Sequence, residues 1–215
     1  MLYIVLMVLF VLFLARSYIN RGLLLLDPQH WENQYSLSLD LYEKHASVSC
    51  FHGDIDSMSV CLDTILSNAK SFDDSLKASS LLVKLLASSS KFDEARTNCI
   101  TILANLGETF PKGIGLPCVL DKLSVIQTTL RDISCDQIKQ LPPMSDSNKL
   151  NSMKFLNMLS MYSIISKPML LPLLSCRMVM LMNEYGFCDD AIVGLATAGY
   201  SVVRTCKAVL HVALN

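Results

Sequence analysis

Three apolar stripes at helical spacing occupy the middle of the chain. Met58, Cys61, Leu62, Ile65, Leu66 and Ala69 fall at i, i+3, i+4, i+7, i+8 and i+11, which places them on one face of an α-helix. Ala78, Leu81, Leu82, Leu85 and Leu86 repeat the pattern, and Ala95, Cys99, Ile102, Leu103 and Leu106 repeat it again. Between the stripes, Gly53-Asp54 and residues 71–74 and 88–94 supply turn residues and acids suited to a helix start, where a carboxylate meets free backbone N–H groups. Gly107 and Pro111 close the third helix.

Two of these helices echo each other. Cys61-Leu62-Asp63-Thr64-Ile65-Leu66 resembles Cys99-Ile100-Thr101-Ile102-Leu103, with the cysteines 99 − 61 = 38 residues apart. A unit of that size made of two helices predicts antiparallel hairpins stacked as a tetratricopeptide-like α-solenoid; an ordinary helical bundle is the alternative. Further helices are expected through Leu37, Leu41 and Ala46, through Leu123, Ile126, Leu130 and Ile133, and from Leu150 through Met153, Leu156 and Leu159. Asp146 is placed to cap the last of these. A dense apolar run over residues 169–182 predicts a buried helix closed by residues 183–186, and Asp189-Asp190 opens one more. No stretch alternates as a strand would, so the fold class is all-α.

The chain opens on an unbroken apolar run that begins at Leu2, ends at Ala15 and is followed by Arg16. Fourteen residues span about 21 Å, short of the roughly 30 Å hydrocarbon core. The run reads as an anchor or signal, or as a helix of a preceding repeat; no basic residue precedes it as a signal peptide would require. Residues 1–21 are therefore set apart from a helical-repeat domain over residues 22–201 and a divergent tail over residues 202–215.

Composition narrows the function classes. Apolar residues make up 52% of the 215 positions, while 18 basic and 19 acidic residues leave a net charge of −1, so no global field favours nucleic acid. One Trp and an aromatic content of 7% offer no base-stacking surface. The eight cysteines, Cys50, Cys61, Cys99, Cys118, Cys135, Cys176, Cys188 and Cys206, form no C-x-x-C pair, which argues against structural zinc. Several sit on apolar stripes as small hydrophobes, and a reducing compartment follows: the cytoplasm, or the cytoplasmic face of a membrane. The eleven methionines read as core filling.

Motifs for catalysis are missing. There is no phosphate-binding G-x-x-x-x-G-K-[ST] loop, no kinase H-R-D or D-F-G, no H-E-x-x-H and no G-x-S-x-G. His30, His45, His52 and His211 are scattered. Cys50, His52 and Asp54 could be drawn as nucleophile and base, but a turn between helices makes solvation or capping the better reading. Asp73-Asp74 and Asp189-Asp190 are helix-start acids, and Trp31 and Tyr35, four apart, are expected to pack on one helix face. No catalytic, cofactor-binding or metal-binding residue is assigned, and no cofactor; the chain is not read as an enzyme.

One composite pattern points further. His30-Trp31-x-x-Gln34-Tyr35 leading to Leu39, Leu41 and Tyr42, then Gly53-Asp54, the turn from Lys91 to Ala95, Leu106-Gly107-x-x-Phe110-Pro111 and Leu141-Pro142-Pro143-Met144-Ser145-Asp146-x-x-Lys149-Leu150 occur in order, followed by Lys167-Pro168 and Tyr185-Gly186. This series resembles the tetratricopeptide-like helical region that follows the AAA-type ATPase module in multidomain serine/threonine and histidine signalling kinases. The resemblance covers residues 22–201. It implies a scaffold for a protein partner in signal transduction and brings no catalytic residues, because the family's kinase and ATPase motifs lie outside the matched region. It reaches neither end of the chain, which implies a truncated relative, a fragment or an incomplete gene model, with terminal faces prone to self-association. The alternative function is a membrane-tethered helical protein held by the apolar run.

Overall fold

The computed structural model describes residues 2–111, 113, 115–132 and 134–213. It is all-helical: among the described residues there are eleven α-helices, one 3-10 turn and a single isolated β-bridge. The chain divides into two compact units at Lys91/Phe92. The three-stripe stretch is shared between them, with its first two helices in the first unit and its third in the second.

The first unit comprises α1 (Leu2–Leu24), α2 (His30–Asn33), α3 (Tyr35–His52), α4 (Ile55–Asn68) and α5 (Phe72–Ser88). Its core follows the α4 stripe, with Met58, Cys61, Leu62 and Ile65 closing on Ala46, Ala78 and Leu85; on α5 the expected Leu81, Leu82 and Leu86 are only half-buried, while Leu76 and Val83, off that stripe, are enclosed. Ala69 falls just past the end of α4 and does not extend the stripe as a helical residue. Each turn has a local cause. Gly53 takes the left-handed conformation (φ 68°) that ends α3, and the Asp54 carboxylate then accepts the Ser57 N–H to start α4. Ser71 starts α5 by accepting the Asp74 N–H. Helix α3 packs against α4 and α5, α4 against α5, and α1 against α3.

The second unit comprises α6 (Phe92–Asn105), α7 (Leu116–Asp132), α8 (Cys135–Gln140), α9 (Ser147–Ser166), a 3-10 turn (Pro168–Leu170), α10 (Leu171–Tyr185) and α11 (Asp190–Ala213). Helix α10 is its axis: Leu174, Met178, Leu181 and Met182 are fully enclosed, and α7, α9 and α11 all pack on it. Helix α6 lies on α9, with Ala95, Cys99, Ile102 and Leu103 buried as their spacing requires. Gly194 of α11 sits so close to α10 that an added Cβ would stand 2.6 Å from the Met178 Cβ.

Several boundaries differ from the sequence reading. Helix α7 begins at Leu116, ahead of the Leu123 from which its stripe is read, because Pro117 falls in its first turn, where a missing N–H costs nothing. Helix α8, started by a reciprocal Ser134–Gln137 capping box, has too few residues to show a period. Asp146 caps α9 as expected, accepting the Lys149 N–H. Lys112, Ile114 and Ile133 lie outside the described residues, as do the side chains of Cys135, Cys206 and His211.

Candidate functional site

The most organised polar feature sits in the second unit, built on a helix end. Gly107 (φ 86°) terminates α6 in a reversal in which the Glu108 N–H reaches back to the Leu103 carbonyl. That reversal turns Glu108 inward, where it is only 3% exposed. Two cations meet it there. Arg177 of α10 donates from Nε to Oε2 at 2.5 Å and from a terminal nitrogen to Oε1 at 3.0 Å, while Lys149 of α9 donates from Nζ to Oε1 at 2.9 Å. Burial alone would push the Glu108 carboxyl up, but hydrogen bonds and charge from Arg177 and Lys149 outweigh it and hold the group below its ordinary value. The hydrogen bond to Glu108 in turn raises Arg177. Lys149 also lies over the Tyr185 ring, 5.4 Å from its centre.

Tyr185 leads directly into a second connection. Gly186 ends α10 at φ 103°, and Phe187 donates its N–H to the Pro142 carbonyl while the Met144 N–H donates back to the Phe187 carbonyl, both at 2.8 Å. A Cβ on Gly186 would stand 2.3 Å from the Pro142 oxygen, so this close backbone pairing requires glycine. Leu106-Gly107-x-x-Phe110-Pro111, the Leu141-to-Leu150 segment and Tyr185-Gly186 thus converge on one place, although they are spread along the sequence.

Two clefts flank α10. One, of about 220 Å³, lies beside the ion cluster and is lined by Phe110, Pro111, Cys118, Lys122, Cys176 and Met180 among others. The other, of about 300 Å³, runs between α7, the 3-10 turn and α11. Leu116, Val119, Leu120 and Leu123 form its α7 wall at i, i+3, i+4 and i+7, and Tyr200 and Arg204 stand on its α11 wall.

The residues singled out for chemistry in the first unit are occupied otherwise. Cys50 and His52 are exposed at the end of α3. Asp54 is both the cap of α4 and the ion-pair partner of Arg16, and hydrogen bonds from Ser57 and Arg16 hold its carboxyl low. The histidine that does meet a cysteine is His45, with Nδ1 2.8 Å from the Cys61 sulfur. Burial pushes the Cys61 thiol up to about 11, and burial with the Arg16 charge lowers His45, so both are neutral at pH 7 and form no thiolate nucleophile. Burial takes Cys99 to about 12.

Trp31 and Tyr35 do pack together, edge to face with ring centres 5.9 Å apart, and Tyr42 joins Trp31 at 5.3 Å. Tyr35 then accepts the Lys70 N–H and donates to Asp74, tying α3 to the turn before α5. Asp190 accepts from Asn157 of α9 at 2.5 Å. Among the described residues no group of three or more His, Cys, Asp or Glu side chains is arranged to hold a metal ion. No described helix is long and apolar enough to cross a membrane. No family model, curated protein or solved structure matches the chain.

Proposed function

We propose that this chain is a non-catalytic helical-repeat scaffold that binds a protein partner, akin to the tetratricopeptide-like region of ATPase-containing signalling kinases. The observation that carries the reading is the order of packing. In the first unit α3 touches α4 and α5, and α4 touches α5; in the second α9 touches α10 and α11, and α10 touches α11. Each helix meeting the next and the next but one is how stacked hairpins bury a shared core. Helix α6 packs on α9 across the intervening α7 and α8. The convergence of the resembling segments around Glu108 supports the reading too, as does a buried ion cluster whose groups pair with one another.

A photo-crosslinking residue placed at exposed positions Val60, Leu120 or Ile192 tests this in cells that make the protein. A scaffold gives a discrete heterologous adduct at one of these faces and none at the others. Uniform labelling at all three, or adducts only with further copies of this chain, overturns it.

A second reading rests on α1. Tyr3, Ile4, Met7, Phe10, Val11 and Phe13 are exposed along its first half, which suits a lipid-facing tether that enters a bilayer without crossing it. Retention on vesicles through a high-salt wash, abolished by Phe10→Asp, is its expected signature; release by salt contradicts it.

A further inference from the structure

The cleft between α7 and α11 has an asymmetry that the scaffold reading does not use. Its body is apolar throughout: Leu116, Val119, Leu120 and Leu123 on one side, Met169 and Leu171 below. Two floor residues, Pro168 and Pro172, have no backbone N–H to offer. The polar groups are gathered on one wall, at Tyr200, Ser201 and Arg204 of α11. The Ser201 hydroxyl donates to the Thr197 carbonyl. Arg204 donates one N–H to the Tyr200 hydroxyl at 2.8 Å, which steadies a guanidinium that carries five N–H donors in all. Among the described lining residues it is the one ionisable cation, and none of them is Asp or Glu.

We propose that this cleft binds a small amphiphile with an aliphatic body and a carboxylate, the body along the α7 stripe and the carboxylate on Arg204. The charge complementarity of the described lining is one-sided, since a guanidinium above an apolar floor with no acid among those residues favours an anion and disfavours a cation. Size separates a small molecule from a protein segment. A helix is about 10–12 Å across with its side chains, whereas about 300 Å³ lies at the lower end of small-molecule sites. Exposure at the mouth agrees with an open site: Leu116, Leu120, Met169 and Tyr200 are all solvent-exposed at their edges.

The test uses the full chain with decanoate, decanol and decyltrimethylammonium, each below its micellar concentration, followed by calorimetry and by the methyl resonances of labelled methionine. Decanoate is expected to bind saturably, one per chain, and to shift the resonance that disappears in Met169→Leu. Arg204→Gln should weaken decanoate about tenfold, the value of one charge-assisted contact, and leave decanol unchanged. Leu120→Glu should abolish both while helical circular dichroism is kept. Non-saturating decanoate, an unmoved Met169 methyl, equal binding of the ammonium, or an indifferent Arg204→Gln each overturns the proposal. A synthetic amphipathic helix that shifts Met169 where decanoate does not would assign the cleft to a protein segment and overturn it as well.

Discussion

Ser90 shows how a single backbone angle carries information that composition hides. It sits just past the end of α5 at φ 60°, where its N–H and that of Lys91 reach back to the Ala87 and Leu86 carbonyls. This is the reversal that glycine makes without steric cost and that an L side chain makes at a cost of roughly 1 kcal/mol. Ser90→Gly is therefore expected to raise unfolding stability by about 0.5 kcal/mol, the relieved strain less the extra freedom glycine has when unfolded; urea titration measures it, and a destabilised variant contradicts the assignment. Thiol accessibility gives a second residue-scale check. Cys50 is exposed, whereas Cys61 and Cys99 are enclosed and their thiols lifted to about 11 and about 12. Under native conditions at pH 8, iodoacetamide should label Cys50 and leave Cys61 and Cys99 intact until denaturant is added, as peptide mass spectrometry would record. These two cysteines were legible as core residues because each sits inside a 3.6-residue period. The pairing of Cys61 with His45 was not, since sixteen residues and a turn separate them.

At the scale of elements, what could be read was what is local. The α4 and α6 stripes, the Gly53 reversal, the Asp54 and Asp146 caps and the end at Gly186 all follow from residues within a turn or two of one another. Glu108 follows from none of these. Its partners lie 41 and 69 residues away, and in sequence it is one acid after a helix-closing glycine. The hint available was that Gly107 forces a reversal, so that the next side chain turns away from the solvent-facing course of the loop. The cluster has a distinct pH signature. Because the folded Glu108 carboxyl is held below its unfolded value of about 4.3, its contribution is fully present above that pH and is lost as pH falls through the folded value. Glu108→Gln leaves Arg177 and Lys149 without their counter-charge. It is expected to cost about 2–4 kcal/mol at pH 7, a cost discounted for the partial exposure of both cations, and progressively less below pH 4. A variant whose deficit is constant between pH 7 and pH 3 would show that the carboxylate charge contributes nothing.

For the whole molecule, the division at Lys91/Phe92 changes how the sequence pattern is understood. Three similar stripes in succession look like one continuous block, yet the third helix finds its partner in α9, some forty residues on, with α7 and α8 between them. Hydrophobic periodicity specifies which face is buried and is silent about what buries it. Each unit has its own enclosed core, so residues 92–215 expressed alone should keep their helical circular dichroism and melt in one cooperative transition. A broad, non-cooperative melt would mean that residues 92–215 do not hold a self-sufficient core. The all-α class was legible because no segment alternates as a strand does. The single bridge between Pro143 and Phe187 has no such signature, because one residue pair is too short to alternate.

If the chain is the helical scaffold proposed above, acting alone or as a segment of a larger signalling polypeptide, its chemistry resides in what it binds or is joined to. An immunoblot of native extract with an antibody to residues 116–150 tests it most directly. The scaffold reading predicts a band far above 23.9 kDa whose immunoprecipitate carries ATP-dependent kinase activity, or a band at 23.9 kDa that brings down a second protein. A band at 23.9 kDa that elutes as a monomer, with no other protein in its precipitate, would contradict it.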